Sequence, residues 1–160
     1  MRFSEITPHS FRNLSSDPVF LGPGLHVFAG ENGQGKSNLL EAAALSCGQR
    51  SFRRARPSAC APDGESFGVS AEVQRDSRSE RVRVEWSRAQ GRRYLRGEKS
   101  ATFREVSELA PAVFLAPEHR ELVTGSPEAR RRFLDRLVIG WRPAAGDDLS
   151  RYERALAERN

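Results

Sequence analysis

A chain of 160 residues, 38% of them hydrophobic, is long enough for one domain with its own core. It contains no run of about 18 apolar residues and its first residues lack the apolar stretch of a signal peptide, which excludes a membrane-spanning class and predicts a cytoplasmic protein. Cys47 and Cys60 lack C-x-x-C spacing, so neither a disulfide framework nor a zinc site is predicted.

The net charge of +5 arises entirely after residue 49, because residues 1–49 hold three basic and four acidic side chains and residues 50–160 hold 23 and 17. Arginine, which bonds phosphate in a bidentate manner, accounts for 24 of the 26 basic residues. Two clusters favour a polyanionic partner such as nucleic acid: Arg50, Arg53, Arg54 and Arg56, then Arg88, Arg92, Arg93 and Arg96. A solvated basic face explains either cluster equally well, so charge alone does not establish DNA binding.

The chain begins with three predicted strands. Alternation around Phe3 predicts the first over residues 2–7, ended by Pro8. The short apolar run at 19–21 predicts the second. A Gly-Pro-Gly turn then leads into the mostly apolar residues 25–29, which read as a buried strand.

A phosphate-binding loop follows this third strand. Residues 30–37, GENGQGKS, match G-x-x-x-x-G-K-[ST] at every fixed position, and good helix formers continue from there until Gly48. The glycines allow backbone N–H groups to wrap a phosphate at the start of a helix. Lys36 is predicted to reach the β- and γ-phosphates, and the Ser37 hydroxyl to bind Mg²⁺. The predicted nucleotide-contacting residues of this segment are Gly30, Glu31, Asn32, Gly33, Gln34, Gly35, Lys36, Ser37 and Asn38.

An antiparallel sheet is predicted after a loop over 49–65. Residues 67–73 and 81–86 alternate apolar and polar side chains on either side of a turn-forming segment, and residues 92–96 add a possible third strand. Because alternation implies one wet face, these strands are antiparallel rather than a buried parallel sheet. The predicted fold class is α/β, with an antiparallel β layer beside a phosphate-loop core.

The last third of the chain predicts one strand and three helices. Thr102 and Glu105 have capping-box spacing for a helix to residue 109, and residues 112–116 read as a buried strand. Ser126 and the proline after it predict the start of a helix to about residue 139. Asp147 or Asp148 is predicted to cap a final helix whose sequence has no C-terminal stop signal.

An arginine lies on the inward face of the helix predicted after Ser126. Arg130 falls in the middle of its apolar stripe, whereas Arg132 points the opposite way. An arginine in that position favours pairing with an anion or a carboxylate.

Six sequence blocks in this order resemble the RecF family of bacterial recombination proteins. The resemblance runs from end to end and is far more specific than the phosphate loop alone. The blocks are FRN at 11–13, GENGQGKSNLLEA at 30–42, RSFR at 50–53, FLAPE at 114–118, GSPEARRRFLD at 125–135 and YERALAERN at 152–160.

The resemblance implies an ABC-type, SMC-like ATPase that dimerises around ATP with Mg²⁺ and binds DNA. Such proteins act in recombinational repair and replication-fork maintenance, and assist recombinase loading on gapped DNA with RecO and RecR partners. On this likeness, Arg12 and Asn13 approach the nucleotide, Arg53 lies near it, and Glu118 falls near the position of the Q-loop glutamine. Arg130 and Arg131 match the family's arginine pair.

The resemblance also predicts the domain organisation. On this likeness, residues 1–145 correspond to the ATP-binding lobe and residues 146–160 to the start of a truncated helical arm. The family's Walker B acidic pair and signature motif lie in a C-terminal lobe. No run of four apolar residues followed by Asp-Glu occurs in these 160 residues, and the Leu-Ser-x-Gly-Gln match at residues 45–49 ends the helix predicted after the phosphate loop, which is not the position of the signature motif. No catalytic residue is therefore predicted in this chain.

Two alternatives stay open from the sequence. A DNA-interaction module that binds nucleotide without turnover would use the same residues. A small-molecule kinase would use the same loop, but the antiparallel hairpin argues against it. A GTPase is excluded because Asn-Lys-x-Asp, which reads guanine, is absent.

Overall fold

A computed structural model describes residues 1–53, 55–142 and 144–159, without the side chains of Glu118 and Arg136. Two units can be distinguished, Met1–Ala110 and Pro111–Asn160. Each unit is defined by the contacts among its own residues. The predicted division at residue 145, between an ATP-binding lobe and a helical arm, concerns function and stays a prediction.

The first unit is built on one antiparallel sheet of six strands in the order β2-β1-β3-β4-β5-β6. Helix α1, Lys36–Ser46, packs against β1, β3 and β4, and helix α2, Phe103–Leu109, packs against β5. The strands are β1 Arg2–His9, β2 Val19–Phe20, β3 Ser66–Arg75, β4 Arg78–Ser87, β5 Gly91–Arg96 and β6 Lys99–Ala101.

The predicted antiparallel layer is confirmed, and alternation explains it. In the hairpin of β3 and β4 the apolar side chains at every second position are buried, among them Val69, Val73 and Val84. Phe67 links this core to the N-terminal segment, because its ring lies 5.3 Å from that of Phe11, in an edge-on arrangement. The core therefore reaches the turn that follows β1.

The end of the first strand differs slightly from the prediction. Strand β1 continues through Pro8 to His9, with Pro8 opposite Val69 of β3. Proline is tolerated there because the pairing of β1 with β2 involves only Glu5 and Ile6, so no strand needs a donor from residue 8 on that side.

The capping box of α2 is confirmed, since the Thr102 hydroxyl accepts from the Glu105 N–H and the Glu105 carboxylate accepts from the Thr102 N–H.

The predicted strands over residues 25–29 and 112–116 are wrong. Neither segment pairs with another strand among the described residues. Four of their apolar side chains are exposed instead, to 92% for Leu25, 79% for Val27, 66% for Val113 and 78% for Leu115. A strand needs a neighbour to satisfy its backbone N–H and C=O groups, and an apolar run alone does not supply one.

The second unit is helical. Its helices are α3 Glu121–Thr124, α4 Pro127–Trp141 and α5 Ala145–Arg159. The start of α4 is confirmed, because the Ser126 hydroxyl accepts from the Ala129 N–H and Pro127 opens the helix. The predicted cap of α5 is wrong: the helix begins at Ala145, which places Asp147 and Asp148 in its first turn, where negative charge stabilises the helix dipole. Among the described residues no helix has the length and apolarity needed to cross a bilayer.

Candidate nucleotide-binding site

The phosphate-binding loop adopts a backbone that its glycines make possible. Gly33 and Gly35 have φ angles of 87° and 97°, in the left-handed region where other residues are strained. Gly35 is also tightly enclosed, since a Cβ there would lie 2.7 Å from the Leu14 side chain. The loop is therefore packed directly against the turn that follows β1, and an alanine at residue 35 would push the two apart.

The start of helix α1 is suited to an anion. Gly35 is the N-cap residue and has no side chain to accept a hydrogen bond from the first-turn N–H groups. These donors, together with the helix dipole, form the kind of site that binds phosphate. Ser37 is exposed at the second position of the helix, where its hydroxyl can reach a Mg²⁺ ion carried by the phosphates.

Lys36 lies against the loop itself. Its Nζ donates to the carbonyl of Gly30 at 2.7 Å and to that of Glu31 at 2.6 Å. The Gln34 side chain closes the loop from the other side by accepting from the Glu31 N–H at 3.1 Å. The one cationic side chain of the loop is thus held on the backbone that would wrap a phosphate.

The turn after β1 braces the loop through Asn13. The Nδ2 of Asn13 donates to the Gly33 carbonyl at 2.8 Å, and its Oδ1 accepts from Asn38 Nδ2 at 2.6 Å. The Oδ1 of Asn38 in turn accepts from Arg53 Nη1 at 2.7 Å. The structure therefore gathers Asn13, Asn38 and Arg53, which the sequence places near the nucleotide, around one side of the loop.

Arg12 is directed elsewhere than the sequence suggests. Its guanidinium forms two hydrogen bonds with Glu41, from Nε to Oε2 at 2.6 Å and from Nη2 to Oε1 at 2.9 Å. These bonds raise the pKa of Arg12, against the smaller opposing effect of its partial burial. Arg53 Nη1 lies 3.7 Å from the same carboxylate. A direct contact of Arg12 with nucleotide stays a prediction.

Glu41 is the residue of this site that the sequence reasoning missed. Its side chain is 0% exposed, and it lies in the second turn of α1, the helix that follows the loop. The available signal was an acidic residue inside an otherwise apolar helical run at 39–45. Such a residue is rarely buried without a charged partner, so the pattern calls for an arginine elsewhere in the chain.

Comparison with known proteins agrees with this geometry. No protein-family model matches the chain. A curated relative, "DNA replication and repair protein RecF" of Heliobacterium modesticaldum, is 37% identical over 163 residues, covering 100% of this chain and 44% of its own length. A solved structure of the recombination mediator protein RecF with ATPrS is 29% identical, with a TM-score of 0.87, and covers 99% of this chain and 43% of that one.

The chain matches the N-terminal portion of RecF. The resemblance found in the sequence is thereby confirmed. A second RecF structure, described with ATP, covers 98% of this chain and 43% of its own, at 28% identity and a TM-score of 0.86. The chain thus spans less than half the length of the RecF proteins it matches.

The fold extends beyond RecF. A structure from work on ATP-driven dimerisation of SMC ATPases matches with a TM-score of 0.64 at 20% identity, covering 83% of this chain and 97% of that one. At this identity the likeness concerns the fold alone. The predicted fold class is confirmed: an α/β, phosphate-loop lobe of the ABC-ATPase type with an antiparallel layer.

Three residues that the resemblance singles out, Arg130, Arg131 and Glu118, belong to the second unit. The predicted inward position of Arg130 is wrong, because this residue is exposed; its Nη1 donates to the Gly125 carbonyl at 3.0 Å, and its pairing with an anion stays a prediction. Arg131 is exposed on the same helix. Glu118 belongs to a 3-10 helix, Pro117–Arg120, but its side chain lies outside the described part of the chain.

The two arginine clusters differ in how much of their charge is neutralised. In the second cluster Arg88 pairs with Glu65, and Arg96 with Glu80, while Arg93 donates to Gln90. These pairs reduce the net charge of the sheet edge. In the first cluster Arg53 lies 3.7 Å from Glu41, whereas Arg50 and Arg56 are exposed and have no ion pair among the described residues; Arg54 lies outside them. The first cluster is therefore the stronger candidate for a polyanion contact.

Proposed function

We propose that this chain is the nucleotide-binding part of an ATP-dependent DNA-binding protein that acts in recombinational repair and replication-fork maintenance. The observation that supports this most strongly is the phosphate loop. Lys36 is held on the loop backbone, and the helix start is open to an anion. The match to RecF includes 100% of this chain and 44% of the relative. Equilibrium titration with a fluorescent ATP analogue tests the nucleotide part of the proposal.

ATP and Mg²⁺ are the proposed ligands. The phosphates would bind at the first-turn N–H groups of α1 with Lys36 on their oxygens, and Ser37 would supply a hydroxyl ligand to the metal. The chemistry that Mg²⁺ would supply is neutralisation of phosphate charge. Glu31, Asn32, Gln34 and Asn38 are proposed to line the site, with Arg53 beside it.

The proposed partners follow from the likeness to RecF. They are DNA, RecO- and RecR-type repair proteins, and in the whole protein a second copy bound across ATP. The proposed setting is the cytoplasm, and the proposed role is to assist recombinase loading on gapped DNA. Support from this chain is the exposed first arginine cluster near the loop, at Arg50, Arg53 and Arg56.

DNA binding is expected to depend on salt and not on sequence. If arginines contact the phosphate backbone, the logarithm of the association constant falls linearly with the logarithm of salt concentration, by about 0.9 per phosphate neutralised on double-stranded DNA. Removing one such arginine, by Arg56→Ala, is expected to reduce the slope by about one. Arg88→Ala is the matched control, since Arg88 is paired with Glu65. Fluorescence anisotropy measures both, and a salt-independent association would contradict the proposal.

A nucleotide-binding module without turnover is the second candidate. It is favoured by a sequence observation: no run of four apolar residues followed by Asp-Glu occurs in these 160 residues, and the Leu-Ser-x-Gly-Gln match at residues 45–49 lies at the buried end of α1, in the same lobe as the phosphate loop. Removing one transition-state-stabilising group commonly lowers the rate by about 10²- to 10³-fold, so several missing together leave almost none. Phosphate release by the purified 160 residues is therefore expected at background. Release that disappears in Lys36→Ala would show instead that catalytic residues lie within this chain.

A further inference from the structure

We propose that Glu41 is the positioning residue of the phosphate loop: its buried carboxylate sets the loop through two arginines and two asparagines without touching the nucleotide. The inference deepens the proposed function and rests on the loop being the nucleotide site. One path from this carboxylate to the loop runs through the side chains of Arg53, Asn38 and Asn13, each joined to the next by a hydrogen bond or an ion pair. The other runs through Arg12 and the backbone to Asn13.

The first link fixes the turn that braces the loop. Arg12 has a φ angle of 52°, which is uncommon for a residue other than glycine and needs support from its surroundings. The support is double: the Arg12 N–H donates to the Cys60 carbonyl at 2.7 Å, and its guanidinium is held by both oxygens of Glu41. Asn13 is the next residue, so its position follows from that of Arg12.

The second link fixes which way the asparagine amides face. A guanidinium only donates, so Arg53 requires the oxygen of Asn38 to face it. The amino group of Asn38 is then left to donate to the oxygen of Asn13. This in turn leaves the amino group of Asn13 for the Gly33 carbonyl. Arg53 itself lies 3.7 Å from Glu41, so both links start from one carboxylate.

The end point of both links is a peptide of the phosphate loop. In a trans peptide the carbonyl and the following N–H point in opposite directions. Holding the Gly33 carbonyl on Asn13 therefore fixes the direction of the Gln34 N–H. A loop that binds phosphate through its N–H groups depends on such directions being set before the ligand arrives.

Burial explains why the arrangement is firm. A fully buried carboxylate is stable only when it is paired and hydrogen-bonded, so Glu41 cannot release its arginines to solvent without a large penalty. An exposed glutamate could hold the same contacts only loosely, since exposed ion pairs contribute little. A buried carboxylate on α1 thus determines the conformation of the exposed phosphate loop.

The test compares nucleotide affinities in matched variants. Glu41→Gln keeps the size of the side chain and removes its charge, and is expected to weaken binding of a fluorescent ATP analogue with Mg²⁺ by about tenfold, the lower end of what orienting residues contribute at metal sites. Asn13→Ala is expected to give a similar loss. The double variant should bind the analogue with about the same affinity as the single variant that binds it less tightly, because both substitutions act through the same hydrogen bond.

Controls separate positioning from general destabilisation. Val106→Ala removes a buried side chain of α2 and is expected to lower the urea midpoint without changing nucleotide affinity. Hydrogen exchange at residues 30–35 gives a second reading: faster exchange in Glu41→Gln but not in Val106→Ala supports a positioning role. If Glu41→Gln does not fold, Arg53→Ala, whose side chain is exposed, takes its place in the cycle with Asn13→Ala.

The outcomes separate this inference from the proposed function. Wild-type affinity in folded Glu41→Gln, or additive losses in the double variant, would overturn the positioning role while leaving the site intact. Wild-type protein that fails to bind the analogue, or binds it independently of Lys36, would overturn the nucleotide site itself.

Discussion

Lys36→Ala is expected to weaken ATP binding by at least about 100-fold, which corresponds to roughly 3 kcal/mol. The lysine would supply the positive charge for the phosphates, and hydrogen bonds to charged groups contribute about 1.5–3 kcal/mol each. Within the described part of the chain its ammonium bonds only to the carbonyls of Gly30 and Glu31, at an exposed position. Fold stability should therefore change by less than about 1 kcal/mol.

The chain offers a matched control for this substitution. Lys99, in the short strand β6, is the only other lysine and is exposed. Lys99→Ala should leave the affinity for a fluorescent ATP analogue unchanged. Ser37→Ala should keep nucleotide contact but lose much of the difference between Mg²⁺ and EDTA. An unchanged affinity in Lys36→Ala would mean that the loop is not the nucleotide site.

Arg12→Ala is expected to reduce the free energy of unfolding by about 3–5 kcal/mol. The substitution leaves the carboxylate of Glu41 buried, with only Arg53 at 3.7 Å as a charged neighbour among the described residues. The strain of the left-handed backbone at residue 12 is not relieved, since alanine also has a Cβ. The loss therefore measures the uncompensated charge.

Urea denaturation of three variants checks this interpretation. Arg88→Ala removes an exposed ion pair with Glu65 and should cost less than about 1 kcal/mol. The double variant Arg12→Met/Glu41→Leu removes both charges of the buried pair and should recover much of the loss, because apolar replacements of a buried pair are often neutral. A cost for Arg12→Ala as small as that for Arg88→Ala would contradict the buried-charge explanation.

Local patterns predicted the parts of this fold that local physics determines. Alternation in the β3–β4 hairpin, the capping box at Thr102 and the Ser126-Pro127 helix start all involve residues close together in the sequence. The phosphate loop belongs to the same class, since its motif is contiguous. The prediction of a strand over residues 25–29 was wrong because a strand depends on a neighbouring strand, and apolar composition does not indicate whether one is present.

The interior of the candidate site depended on distant residues. Arg12 and Glu41 are 29 positions apart, and Asn13 and Asn38 are 25 apart. The sequence placed Asn13 and Arg53 near the nucleotide only through a resemblance, and no periodicity indicated that Arg12 faces Glu41 instead. Such pairings follow from how the turn after β1 packs against α1, which is a property of the tertiary structure.

The exposed segment at residues 25–29 has a consequence for how the protein behaves at high concentration. Its backbone donors and acceptors lack strand partners among the described residues, and Leu25 and Val27 project into solvent. An unpaired extended edge with apolar side chains is a template on which another polypeptide can add a strand. Residues 25–29 are thus one segment through which copies of these 160 residues are expected to associate, and Val27→Lys would make that edge repel its own copies.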